Sequence, residues 1–165
     1  GGPAVSGLAR EWRDNEEERL FELPRPMLHS GDYDFSFSGI KTAVLYAVRD
    51  LNREMTDEEK RALAGEFENA AIEVLVHKTL KALNEHNAQT VVVGGGVAGN
   101  TYLREQLSEK ISKLYPDVTV LFPEMWLATD NAVMIGMAGV LQITSNPQEK
   151  TRNPEELRAD GNLSL

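Results

Sequence analysis

Three consecutive glycines, Gly94-Gly95-Gly96, and the Val97-Ala98-Gly99-Asn100 that follows stand between the run Thr90–Val93 and a helical pattern opening at Thr101-Tyr102-Leu103. Residues without a Cβ let the backbone approach a phosphate or a sugar closely. The first amides of a helix add unpaired N–H groups and a partial positive charge. The chemistry such a turn suits is the holding of a nucleotide or another phosphorylated or adenylated small molecule. Asn100 is either a helix cap or a hydrogen-bond partner for that ligand. Asp130, in Thr129-Asp130-Asn131 at the head of an apolar helical stretch, is either a first-turn acid complementing the helix dipole or a ligand for metal or substrate.

These residues need elements to position them, and the periodicities supply candidates. Gly1-Gly2-Pro3 reads as a turn feeding a short helix to about Arg13, with proline near its first position. Pro24-Arg25-Pro26 forces an extended loop. In Tyr33-Asp34-Phe35-Ser36-Phe37 aromatics alternate with small polar residues, which predicts a strand with one buried face. Ser38-Gly39 opens a helix through Val48. Thr56-Asp57-Glu58-Glu59 has capping-box spacing and begins the longest helix, to about Asn84. Leu63, Phe67, Ala70, Val74 and Leu80 place one stripe of that helix in the core, and the acids from Asp57 to Glu68 read as a solvated face. Strands are expected at Thr90–Val93 and Val118–Phe122, with a helix to about Leu114 between them. Helices alternating with strands indicate an α/β domain with neighbouring parallel strands. Ligands in such sheets sit beyond the carboxyl ends of the strands, where Gly94–Asn100 and Pro123–Asn131 are expected to converge.

Composition narrows the classes. A chain of 165 residues, 41% hydrophobic, suits one domain with a real core. A net charge of −9, from 26 acids against 17 bases, does not attract a polyanion over long range, so a nucleic-acid role needs a local basic patch or a partner. The absence of cysteine excludes disulfides and thiolate metal sites and fits a reducing cytoplasm. No apolar run approaches the roughly 20 residues of a membrane span. Gly94, Gly96 and Gly99 also spell G-x-G-x-x-G, with Glu124 after the next strand, but too few elements follow for the second half of a dinucleotide fold. No G-x-x-x-x-G-K-[ST], H-E-x-x-H or G-x-S-x-G occurs. His29, His77 and His86 have no pairing that builds a metal site unaided, and His77 reads as packed or half-buried in the long helix. A first residue of Gly suggests the C-terminal part of something longer.

Phe21-Glu22-Leu23-Pro24-Arg25-Pro26, Asp34-Phe35-Ser36-Phe37-Ser38-Gly39-Ile40-Lys41-Thr42, Val93-Gly94-Gly95-Gly96-Val97-Ala98-Gly99-Asn100 and Thr129-Asp130-Asn131-Ala132 resemble, in order and spacing, the motifs of the TsaD/Gcp family of tRNA threonylcarbamoyladenosine synthases. The resemblance implies an actin/Hsp70/sugar-kinase-like (ribonuclease H-like) α/β lobe over residues 1–144, the C-terminal half of a two-lobe protein, before a polar tail at 145–165. It implies transfer of a threonylcarbamoyl group from threonylcarbamoyl-AMP to N6 of adenosine 37 in tRNAs reading codons that begin with A. It implies one divalent metal ion, iron or zinc, held by Asp130 and by two histidines of the missing N-terminal half. Gly2 and Asn100 match residues contacting the adenylate, and Gly94, Gly95 and Gly96 resemble the adenosine-binding glycines. The expected partners are tRNA, an inactive paralogous subunit and an ATPase, in the cytoplasm and without a membrane, and the fragment alone is expected to be inactive. Ala128 stands where many relatives carry Cys, Gly99 where Ala is usual, and Thr101 and Tyr102 replace frequent basic residues. The competing expectations are an inert partner of the same fold and another carbamoyltransferase or nucleotide-binding protein of that fold.

Overall fold

The computed structural model describes residues 1–129 and 132–145. The chain divides into two units, Gly1–Ala128 and a second beginning at Thr129. In the first unit, helix α1 (Gly2–Asp14) starts with proline inside its first turn, where a missing N–H leaves no helical bond unmade. Helix α2 spans Ser38–Asp50 and helix α3 spans Asp57–His86. The capping box at the head of α3 forms as expected: Glu59 N–H donates to Thr56 Oγ1 at 3.2 Å, and Thr56 N–H donates to Glu59 Oε2 at 2.8 Å. Asn87 closes α3 in the left-handed conformation, φ 49° and ψ 38°.

Helix α3 is the axis of this unit. Leu63 and Ala70 pack with Leu23 and Ile40 on one side, and Ile72, Val76 and Leu83 pack with Leu103, Leu107 and Ile111 of helix α4 (Thr101–Leu114) on the other. The expected apolar stripe is therefore present, but burial around residues 62–70 extends beyond that stripe. Glu66 and Glu68 are 1% and 5% exposed, not members of a solvated face. The reason is that α1 and the extended strap after it cross α3 and bring Arg13, Arg19 and Arg25 onto it. Gly65 permits the close approach: a Cβ there would lie 2.2 Å from Cε3 of Trp12.

Strands β1 (Thr90–Val92) and β2 (Thr119–Leu121) pair in parallel, Thr90 opposite Thr119 and Val92 opposite Leu121. Val91, Val93, Val118, Val120 and Phe122 face the core over α3 and α4, while Val92 and Leu121 on the other face are exposed. The described residues thus form a mixed structure of helices with a small parallel sheet, as the alternation of patterns predicts.

Two further expectations fail. Residues 33–37 are not a strand, and among the described residues no other strand lies beside them to pair with. Lys78 holds this loop instead: 2% exposed, its Nζ donates to Ser30 Oγ and Asp32 Oδ1, each at 2.9 Å, and to the Asp34 carbonyl at 2.5 Å. Phe35 and Phe37 consequently stack on each other at the surface, 6.4 Å between centroids. His77 is exposed rather than packed and meets His29 edge to face at 5.6 Å, since the buried side of that turn is taken by Val76 and Lys78.

The described part of the second unit is Thr129 and helix α5 (Ala132–Ser145), which begins where the apolar pattern predicts. Its apolar side chains, Ile135, Met137, Val140 and Leu141 among them, are exposed. The polar stretch expected as a tail lies, beyond Ser145, outside the described residues.

Candidate functional site

The two strand ends do converge, as far as Ala128. Beyond β1 the chain passes Val93, Gly94 and Gly95, makes one 3-10 turn over Gly96–Gly99, and enters α4 only at Thr101. Beyond β2 it passes Pro123 and makes a second 3-10 turn over Met125–Leu127. Arg104 ties the two together. Its Nε donates to the Ala98 carbonyl at 2.5 Å, one terminal nitrogen donates to the Pro123 carbonyl at 2.6 Å, and its guanidinium lies over Phe122. A Cβ on Gly99 would touch that of Ala128 at 3.6 Å, so the second loop packs directly against the first.

The glycines themselves face open space. Gly95 has φ +84°, a conformation that favours glycine, whereas Gly94 and Gly96 carry no such requirement. A Cβ on any of the three would meet nothing within 4 Å, and the same is true of Gly2. Nothing inside the described unit therefore requires Gly94 and Gly96 to lack side chains.

Asn100 takes one of the two roles its position allowed, that of helix cap, and spends its amide on two other side chains. Its Oδ1 accepts the Leu103 N–H at 2.8 Å and caps α4, and its carbonyl accepts from Arg104 N–H at 3.2 Å. Its Nδ2 donates to Ser6 Oγ at 3.1 Å and to Glu68 Oε1 at 2.7 Å. The glycine turn does not run straight into α4, and α4 is capped by its own asparagine. Ser6 lies one helical turn along α1 from Gly2, about 6 Å of axial rise, so the contact with Asn100 brings the Gly2 end of α1 near the head of α4. Tyr102, next on α4, carries the Arg13 guanidinium over its ring at 3.8 Å, and burial pushes its phenol above the ordinary tyrosine value.

Sequence reasoning missed the carboxylates behind this arrangement. Glu66 accepts from Arg19, Arg25 and the Leu23 amide, and although burial works to raise its pKa, the hydrogen bonds from the two guanidiniums outweigh it and hold the carboxyl below its usual value. Glu68 accepts from Ser6, Arg13 and Asn100. The available signal was compositional: both acids sit among Ala62, Ala64, Gly65 and Ala70, small residues that let neighbouring backbones close over a helix.

Asp130 lies outside the described residues. Among the described residues no group of three His, Cys, Asp or Glu side chains is placed to hold a metal ion, and His29 and His86 are engaged with His77 and Tyr33. The described residues do not by themselves fit a metal centre. No described helix is long and apolar enough to cross a membrane. Glu124, the candidate ribose acid of a dinucleotide fold, accepts instead from the Trp126 indole N–H at 2.6 Å.

Comparison with known proteins fits this geometry. The profile of the family described as "TsaD: tRNA N6-adenosine threonylcarbamoyltransferase" matches residues 1–137. Curated relatives carrying the name tRNA N6-adenosine threonylcarbamoyltransferase include one from Nitrosospira multiformis, 45% identical over 92% of this chain and 43% of its own length. Others come from Ralstonia pickettii, 46% identical over 90% of this chain and 42% of its own length, and Thermosipho africanus, 43% identical over 84% and 40%. The chain spans about two fifths of the length of the curated relatives it matches. With a glycine turn at one strand end, a second loop clamped to it, and a family match running through both, the chain belongs to the TsaD family.

Proposed function

We propose that this chain is the C-terminal part of a two-lobe tRNA N6-adenosine threonylcarbamoyltransferase of the actin/Hsp70/sugar-kinase-like fold, with residues 1–144 as its lobe and 145–165 as a polar tail. The observation that carries the reading is the pair of strand-end loops clamped by Arg104, with open space over Gly94, Gly95 and Gly96, in a chain matched by the TsaD profile through both loops. In this reading the adenylate of threonylcarbamoyl-AMP lies over the glycine turn, between Gly2 and Asn100. Backbone without side chains admits the ribose and phosphate, and Arg104 fixes the wall they rest on. The reacting carbonyl is then presented to N6 of the tRNA adenosine by a part of the protein beyond this chain. Binding geometry, not a nucleophile in this lobe, is its contribution to catalysis.

Within the first unit, the outer face of the small sheet leaves apolar side chains for another segment to cover. Val92 is 74% exposed on a parallel sheet, and parallel sheets are ordinarily covered on both faces. Metal ligation by Asp130, with iron or zinc as the ion and histidines from outside this chain, belongs to the same proposal, as do tRNA, a paralogous subunit and an ATPase as partners and a cytoplasmic setting. A bound metal would act as a Lewis acid toward substrate oxygens.

The test uses the whole protein that carries this chain. Asn100→Ser keeps an oxygen for the α4 cap while removing both amide donors, which hold Ser6 and Glu68; by freeing the Gly2 end of α1 from the head of α4 it is expected to weaken AMP binding about tenfold, comparable to the roughly 1–1.5 kcal/mol of one lost hydrogen bond. Equal AMP affinity in variant and parent would remove Asn100 from the site. Asp130→Ala is expected to lower bound metal together with threonylcarbamoyl transfer, and unchanged metal content would defeat its assignment as a ligand.

A further inference from the structure

Glu68 has no place in the adenylate reading above, yet it links α1 with the head of α4, the two elements that carry Gly2 and Asn100. It sits inside α3 with its carboxylate buried. One oxygen accepts from Ser6 Oγ at 2.7 Å and from Asn100 Nδ2 at 2.7 Å, and the other accepts from Arg13 at 2.6 Å. Ser6 and Arg13 lie seven residues apart on one face of α1, two turns of helix. Arg13 in turn covers Tyr102. A single carboxylate therefore joins α1, α3 and the head of α4.

The chemistry of that carboxylate decides how Asn100 lies. The two ends of a carboxamide are nearly equal in size but opposite in hydrogen-bonding sense. An ionised carboxylate only accepts, so the end of Asn100 that faces Glu68 must be its NH2. The oxygen is thereby turned toward the Leu103 N–H, where it caps α4 and anchors the far end of the glycine turn. A buried ion cluster is a poor device for stability alone, because apolar side chains of similar volume often serve as well or better. A group that accepts only, placed against a side chain with two possible orientations, selects one of them.

From this geometry we infer that Glu68 is a positioning residue of the adenylate site: it sets the orientation of the Asn100 carboxamide and ties the Gly2 end of α1 to it, so that turn and helix hold one spacing for the ligand. The inference rests on the proposed placement of the adenylate. Glu68 itself touches no ligand in this account and acts through Asn100.

The experiment measures AMP affinity by calorimetry in the whole protein, with melting temperatures taken alongside. Glu68→Ala and Glu68→Gln both remove the ion pair with Arg13, so both lower the melting temperature. Only Gln keeps an acceptor for Asn100 and Ser6. AMP affinity is expected to fall about tenfold or more in Glu68→Ala and to recover to within two- to threefold of the parent in Glu68→Gln. Combining Glu68→Ala with Asn100→Ser is expected to give no further loss beyond the larger single effect, because both changes act on one carboxamide. Should Glu68→Ala not fold, Glu68→Asp keeps the charge opposite Arg13, withdraws the carboxylate by one methylene and is expected to lose AMP affinity likewise. Parental affinity in the Ala or Asp variant, equal losses in Ala and Gln, or fully additive losses in the double variant would overturn the role of Glu68 while Asn100→Ser still showed its own loss. A parent that fails to bind AMP, or an Asn100→Ser variant that binds it unchanged, would instead refute the placement of the adenylate, and the role of Glu68 with it.

Discussion

Replacing Glu66 by alanine removes the acceptor of four hydrogen bonds at a side chain 1% exposed: Arg19 Nε at 2.9 Å, an Arg19 terminal nitrogen at 2.7 Å, the Leu23 amide at 3.0 Å and Arg25 at 2.5 Å. Their worth is not the sum of four. Arg19 is about half exposed and returns to water, so its share is small. Arg25 keeps Glu73 and the Leu23 carbonyl. The Leu23 N–H, beside a residue in the core, is left without its acceptor, which costs about 1–3 kcal/mol. Removing one partner of a buried pair costs about 3–5 kcal/mol when nothing compensates, and here part is compensated. Glu66→Ala is therefore expected to destabilise by about 3 kcal/mol. Glu66→Gln, whose amide oxygen still accepts from Leu23, is expected to cost about half of that. With a urea m-value of about 2 kcal/mol/M, the alanine midpoint falls by roughly 1.5 M. The difference also carries a pH signature. The folded-state pKa of Glu66 is depressed, so its contribution is complete above the unfolded carboxylate value of about 4.3 and is lost as pH falls through the folded value. Parent and alanine variant are thus expected to converge in acid. An unchanged midpoint at pH 7, a glutamine variant as unstable as alanine, or a gap that widens on acidification would refute the account of Glu66 as a charged joint.

Gly65→Ala drives a Cβ into the Trp12 ring, which cannot yield without moving α1, and is expected to lower stability by about 1–3 kcal/mol in thermal or urea unfolding; a neutral result would show that α1 does not pack on α3 at this distance. Thr56→Ala removes the α3 cap and is expected to cost about 1 kcal/mol by the same measurement. Glu59 is held at about 2 by Arg53 and then by the Thr56 amide, so its contribution is present above the ordinary carboxylate value and disappears as pH falls toward 2; Arg53→Leu is expected to raise the Glu59 pKa in a carboxylate NMR titration, and an unmoved titration would remove that cause.

Local signals were sufficient wherever one segment settles its own conformation. The capping box at Thr56, proline at the start of α1, the β-branched run before three glycines and the 4-residue spacing of Leu103, Leu107 and Ile111 each fix an element through nearest neighbours, and all were legible in the sequence. So was the family, because its motifs are short and contiguous. What lay beyond reach depended on what crosses what. The alternation of Tyr33, Phe35 and Phe37 is a strand pattern only if another strand lies beside it; Lys78, 41 positions beyond Phe37, turned it into a loop. Glu66 and Glu68 read as surface acids because nothing near them in sequence announces Arg19, Arg25 or Arg13, and only the crossing of α1 and its strap over α3 converts them into buried joints. The residues that hold an element are written along the chain, whereas the charge partners that fix a site are set by which distant segments the packing brings within about 3 Å, a spacing that only the folded backbone decides.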